Sequence, residues 1–160
     1  VPGAPRALLD AGMALVQLQA RKLGVQVETV CAEGLPDVLC DATMVEQVLL
    51  NLARNAMQAM DRPEIVRRKL VLKVVLAPSN ERTIHHAGWT EFSVADVGPG
   101  IAPEVAAQLF TPFFTTKAEG MGLGLSLCRT VVEQHGGFLG FDANHPQGTI
   151  FRFTLPVASP

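Results

Sequence analysis

The segment Phe110 to Leu125 reads Phe-Thr-Pro-Phe-Phe-Thr-Thr-Lys-Ala-Glu-Gly-Met-Gly-Leu-Gly-Leu, a composition unsuited to a packed core. Phe113 and Phe114 follow a proline, and Thr115, Thr116 and Lys117 come next. Gly120, Gly122 and Gly124 then alternate and open into an apolar helical run. Backbone N–H groups at a helix N-terminus, left accessible by glycine and with Lys117 nearby, suit an anionic phosphate. Upstream, Gln47, Asn51 and Asn55 fall four apart, so their amides stack along one helix face. An amide oxygen there suits Mg²⁺, a hard cation that keeps several waters and takes few protein ligands beside phosphates. A solvated face or a helix-to-loop hydrogen bond would account for either asparagine alone. Asp96 ends an alternating run, on the same face as Phe92 and Val94. At a pocket mouth its carboxylate can accept a hydrogen bond from the exocyclic amine of adenine. A guanine carbonyl would leave that acceptor unpaired, at a cost of roughly 1–3 kcal/mol. Gly98 and Gly100 would let the backbone turn and approach a base, although Asp-x-Gly-x-Gly by itself also suits a plain turn. In combination these groups read as a nucleotide site with a mobile lid.

Better-known nucleotide and catalytic signatures do not fit. G-x-x-x-x-G-K-[ST] is absent, and the glycine spacing puts Leu125 or Leu127 where a dinucleotide fingerprint needs Gly or Ala. There is no His-Arg-Asp catalytic loop and no G-x-S-x-G elbow.

The elements that must position these groups follow from periodicity and punctuation. Apolar spacing predicts a helix over Ala7 to Ala20, in a segment ended by Gly24, and a strand over Val25 to Val30. Val38 to Cys40 is a short strand candidate after a turn at Gly34 to Asp37. Asp41 is a suitable N-cap for a helix to about Met60, with Val45, Val48, Leu49, Leu52, Ala56 and Ala59 as its core stripe. Strands are predicted at Leu70 to Leu76 and Glu91 to Val97, and a short helix from Ala102, with Pro103 in its first turn. Leu123 to His135 reads as a helix stopped at Gly136-Gly137, and Phe138 to Ala143 with Thr149 to Leu155 as a hairpin. Strands outnumber what alternating βαβ units would give. The expected fold is therefore an α+β two-layer sandwich, a mixed and mostly antiparallel sheet covered on one face by about three helices.

A chain of 160 residues, 48% hydrophobic, can bury one sizeable core. The net charge of −2, without a basic run, argues against nucleic acid and anionic membrane surfaces as partners. No apolar segment reaches the length of a membrane span. Cys31, Cys40 and Cys128 lack CxxC spacing, so reduced thiols in a cytoplasmic setting are expected. His85-His86 sits in a polar stretch without a Cys or acidic group at ligand spacing, so a metal role is not expected there.

In order and combination, these segments resemble the ATP-binding catalytic domain of bacterial sensor histidine kinases, within the Bergerat-fold ATPases. Gln47 to Met60 is similar to that family's N box, Asp96 to Ile101 to its G1 box, and Phe110 to Lys117 to its F box. Gly120 to Gly124 is similar to its G2 box, and Gly148 to Pro156 to its closing strand. The Gln-Ala-Met ending and the Phe-Phe-Thr-Thr-Lys lid most resemble the nitrogen-regulatory and oxygen-sensing kinases. The resemblance implies ATP and Mg²⁺ as cofactors. It makes Asn55 the principal metal ligand, Asn51 a helper in the metal–phosphate shell, and Asp96 the reader of adenine with Thr149 nearby. It further implies that Gly98, Gly100 and Ile101 shape the base pocket. The resemblance also implies that Phe113 and Phe114 anchor the lid, that Lys117 and the amides of Gly122 and Gly124 meet the phosphates, and that Thr115, Thr116, Gly120 and Leu123 belong to the cofactor-binding set. Val97 departs from the small polar residue more usual there.

Gyrase, mismatch-repair and chaperone relatives place a water-activating Glu one turn before the metal asparagine. Here Asn51 stands instead, and an amide cannot take a proton, so slow hydrolysis is expected. The family's acceptor histidine has a context that none of His85, His86, His135 or His145 shows. The expectation is a catalytic module, residues 6–160, preceded by a linker remnant, residues 1–5. It would phosphorylate a His on a separate dimerisation domain, with a response regulator downstream, and be monomeric alone. Alternatives within the same fold are an anti-sigma-type serine kinase and a non-catalytic ATP-dependent switch.

Overall fold

The computed structural model describes residues 2–77, 88–110 and 124–158. The chain begins with β1 (Pro2–Gly3) and two helices, α1 (Pro5–Ala11) and α2 (Met13–Leu23). Gly24, at φ 66°, ends α2 with its N–H on the Ala20 carbonyl, the left-handed cap that glycine adopts at least cost. After β2 (Val25–Cys31) and β3 (Val38–Leu39) comes α3 (Ala42–Met60). The Asp41 side chain caps α3 by accepting from the Met44 N–H at 3.2 Å. The rest is β4 (Arg68–Leu76), β5 (Trp89–Ala95), α4 (Pro103–Ala106), α5 (Gly124–Gln134), β6 (Leu139–Ala143) and β7 (Thr149–Pro156).

One sheet of five strands runs in the order β2-β4-β5-β7-β6. β2 lies parallel to β4, and every other neighbouring pair is antiparallel. Leu70, Leu72, Val74, Phe92, Val94, Phe151, Phe153 and Leu155 alternate along their strands and are all buried. They form one core with inward residues of α1, α2, α3 and α5. Phe92 and Phe153, cross-strand partners, stack with ring centroids 5.0 Å apart. Full burial of such a side chain is worth about 2–3 kcal/mol. Lys69, Lys73, Glu91 and Arg152 lie on the other parity, and none of them is buried. This is the expected α+β two-layer sandwich.

Two features go beyond the sequence pattern. The first predicted helix is divided at Gly12, which ends α1 and precedes α2. A Cβ there would stand 3.0 Å from the Leu50 side chain, so the chain turns where α3 passes closest. The apolar spacing continues across the break because Leu8, Leu9, Val16 and Ala20 all enter the same core. Pro2 and Gly3 pair with Leu39 and Val38, a two-residue ladder too short to carry a period.

Candidate functional site

Asp96 follows β5 directly and is, with Thr90 and Thr149, one of three buried polar residues among the described residues. Burying a carboxylate is costly without hydrogen bonds. Here Oδ1 accepts from the Gly98 N–H at 2.8 Å and the Thr149 N–H at 3.2 Å. Its own backbone N–H donates to the Thr149 carbonyl at 2.9 Å. The β6–β7 turn secures the other side. The Asn144 amide donates to the Asp96 carbonyl at 2.8 Å, and the Gln147 amide to the Val97 carbonyl at 2.9 Å. Gly148 is indispensable to this closure: at φ 112°, an added Cβ would stand 2.0 Å from the Asp96 carbonyl oxygen.

Asp96, Thr149, Gly98 and Gly100 are thus gathered on one loop cluster. Gly98 is buried against α3, and a Cβ there would lie 3.0 Å from the Ala59 carbonyl oxygen. Gly100 is exposed with φ 86°, and Ile101 packs half-buried against the core.

Along α3, the buried stripe is Val45, Val48, Leu49, Leu52, Ala53, Ala56, Met57 and Met60. Asn51 and Asn55 are half-buried beside it, whereas Gln47 is exposed. Ala59, expected in the stripe, is half-buried instead because Gly98 occupies its side of the helix. Asn51, Asn55 and Ala59 succeed one another four residues apart, about 6 Å per step along one ridge. The loop after Asp96 therefore sits at one end of the amide row.

α5 flanks the other end. The Cys128 Sγ lies 4.0 Å from the Val48 carbonyl, and its thiol hydrogen-bonds with Asn51. Burial pushes the thiol pKa up to about 11, and the Asn51 contact opposes this only in part. Further along, His135 Nε2 accepts from the Asp41 N–H at 3.0 Å, so Nδ1 carries the proton toward the Val131 carbonyl at 2.7 Å. α3 and α5 are therefore antiparallel, fastened at His135 and at Cys128. Gly124, the exposed first residue of α5, faces open space where a Cβ would sit. Phe110 packs on Phe141 with centroids 6.2 Å apart, and the Arg129 guanidinium lies 5.3 Å from the Phe110 ring centre. Phe113, Phe114, Thr115, Thr116, Lys117, Gly120, Gly122 and Leu123 lie outside the described residues.

Among the described residues, no group of three or more His, Cys, Asp or Glu side chains gathers as a metal site. Asn51 and Asn55 carry amide oxygens, which suit a hard cation completed by water and phosphate.

Residues 40–159 match the family model described as histidine kinase-, DNA gyrase B-, and HSP90-like ATPase. The chain belongs to this ATPase family. The family is one of ATP-binding domains, so ATP binding belongs to this domain. Sensor protein FixL of Bradyrhizobium diazoefficiens is 40% identical over 94% of this chain, which covers 28% of that protein. Among solved structures, the catalytic domain of histidine kinase ThkA superposes with TM-score 0.80 at 27% identity, covering 99% of this chain and 98% of that one. ThkA in complex with the response regulator protein TrrA also matches, with TM-score 0.73, 28% identity and coverage of 99% and 42%. Full-length ShkA in complex with AMPPNP matches with TM-score 0.79, 29% identity and coverage of 100% and 31%. The chain spans less than a third of the length of the first curated relatives it matches.

Sequence reasoning missed Asn144, Gln147 and Cys128. The first two lay in a segment read only as a hairpin turn, and the third in one read only as a helix. Among the described residues, no helix is long and apolar enough to cross a membrane.

Proposed function

We propose that this domain, residues 6–160, binds Mg-ATP and transfers the γ-phosphoryl group to a histidine on a separate dimerisation domain. The observation that carries this reading is the buried Asp96 carboxylate, held by two backbone amides at the end of the α3 amide row. A carboxylate so fixed accepts from the adenine amine, and Thr149 adds a hydroxyl or a bridging water. Gly98, Gly100 and Ile101 shape the walls of the base pocket.

Asn55, assisted by Asn51, holds Mg²⁺, which when bound neutralises charge on the phosphates. Lys117 and the amides of Gly120, Gly122 and Gly124 meet the phosphate oxygens, with Thr115, Thr116 and Leu123 alongside. Phe113 and Phe114 anchor the lid. No side chain in the amide row accepts a proton, so water is not activated and hydrolysis is slow. The nucleophile is the acceptor imidazole, and the domain contributes positioning and electrostatics. A response regulator then takes the phosphoryl group from that histidine; the complex of ThkA with TrrA supports such a partner. The domain alone is monomeric and works in the cytoplasm without contacting a membrane.

Incubation with labelled ATP, Mg²⁺ and a dimerisation-domain fragment tests this. Acid-labile label on the fragment is expected. Acid-stable label would instead indicate a serine kinase, and tight ATP binding without any transfer would indicate a conformational switch.

A further inference from the structure

An asparagine amide is nearly symmetric in shape but not in chemistry. One edge is an oxygen acceptor and the other a two-proton donor. For Asn51 to serve a cation, the oxygen must face the cleft. A 180° turn of the amide would present N–H groups to the metal at almost no steric cost. Something must choose between these orientations.

Cys128 is placed to do so. It reaches α3 from α5, is 1% exposed, and has its Sγ 4.0 Å from the Val48 carbonyl, one turn before Asn51. A thiol can donate S–H and accept at sulfur. With S–H directed at Val48, the sulfur lone pair accepts from the Asn51 N–H.

We propose that Cys128 is a positioning residue: a relay from the Asn51 amide N–H through the Cys128 sulfur to the Val48 carbonyl turns the Asn51 oxygen toward the metal–phosphate shell. This rests on the proposed role of Asn51 in that shell. It also joins the helix that follows the glycine run to the metal-binding helix through one polar contact. Loss of the contact lets Asn51 sample both orientations, so binding weakens only when the cation is present.

The test measures AMPPNP affinity with Mg²⁺ and with EDTA for four variants: Cys128→Ser, Cys128→Val, Cys128→Ala and Asn51→Ala. Loss of one neutral hydrogen bond predicts that Cys128→Val and Cys128→Ala bind about fivefold more weakly with Mg²⁺. Affinity in EDTA should stay unchanged, and Cys128→Ser, which still accepts and donates, should restore the Mg²⁺ effect. The Asn51 side-chain ¹⁵N–H₂ resonances should shift in the valine and alanine variants but return toward wild type with serine. Equal weakening with and without Mg²⁺ would mean that Cys128 only packs, and this would overturn the proposal. An undiminished Mg²⁺ effect in both apolar variants, alongside its loss in Asn51→Ala, would overturn the relay alone. An undiminished effect in Asn51→Ala would overturn the metal role of Asn51 and the relay with it. Should Cys128→Val fail to fold, Cys128→Ala decides the matter.

Discussion

The two ends of the proposed nucleotide site are built differently. Around Asp96 the groups in contact include backbone groups of β7 and two loops: the amides of Gly98 and Thr149, the Thr149 carbonyl, and the peptide of Gly148. Along α3, the candidate groups are side chains on a helix surface, and one of them, Asn51, meets another helix at Cys128. The base end is therefore complete when β5 and β7 pair, before any ligand arrives. The proposed metal end is completed by tertiary packing of α5 against α3. On the proposed function, selectivity for the base belongs to the backbone-built end, and metal positioning to the end built from side chains.

The largest expected effect breaks the backbone-built end. Gly148→Ala must force a Cβ into the Asp96 carbonyl at a positive φ, and it should cost about 3 kcal/mol or more in urea unfolding. Gly124→Ala, with open space around it at the start of α5, should change stability by less than about 1 kcal/mol. Equal tolerance of both would erase the contrast. Asn55→Ala tests the other end. It should leave the melting curve nearly unchanged while lowering Mg-nucleotide affinity about 100-fold by calorimetry, as expected for losing a metal ligand. Unaltered affinity would remove the metal site from α3.

A titration sharpens the comparison. The Cys128 thiol ionises near 9.0 when unfolded and near 11 when folded. Its neutral form is thus favoured by the fold, and stability from this group is intact below pH 9. Between about pH 9 and 11 the unfolded chain loses the proton first, so roughly 2–3 kcal/mol is lost. Unfolding measured across that window should show the decline in wild type, and Cys128→Ala should flatten it. The smallest effect is Asn144→Ala, which removes one bond to the Asp96 carbonyl and should cost about 1 kcal/mol. A neutral result there would mean that the sheet alone holds the acid.

Much of this was legible in the sequence because it is local. Asp41 and Gly24 mark helix ends whose chemistry lies within a few residues, and the strands of the core declare themselves by alternation. Asp96, Asn51 and Asn55 stood out as polar groups bordering apolar faces. The division at Gly12 was hidden, since the apolar spacing runs on through it and its cause, Leu50, lies far along the chain. The same holds for the supports of the site. Asn144 meets Asp96 across 48 residues, Gln147 meets Val97 across 50, and Cys128 meets Val48 across 80. Periodicity says which face a residue occupies but not which neighbour waits there, and Ala59 shows it: the right spacing for the core, yet covered by Gly98.

The bond between the His135 ring and the Asp41 amide has a mechanical consequence. It tethers the tail of α5 to the head of α3, while the head of α5 continues from the glycine-rich segment. That mooring sets how far along α3 the second helix lies, and so holds Cys128 level with Val48 and Asn51.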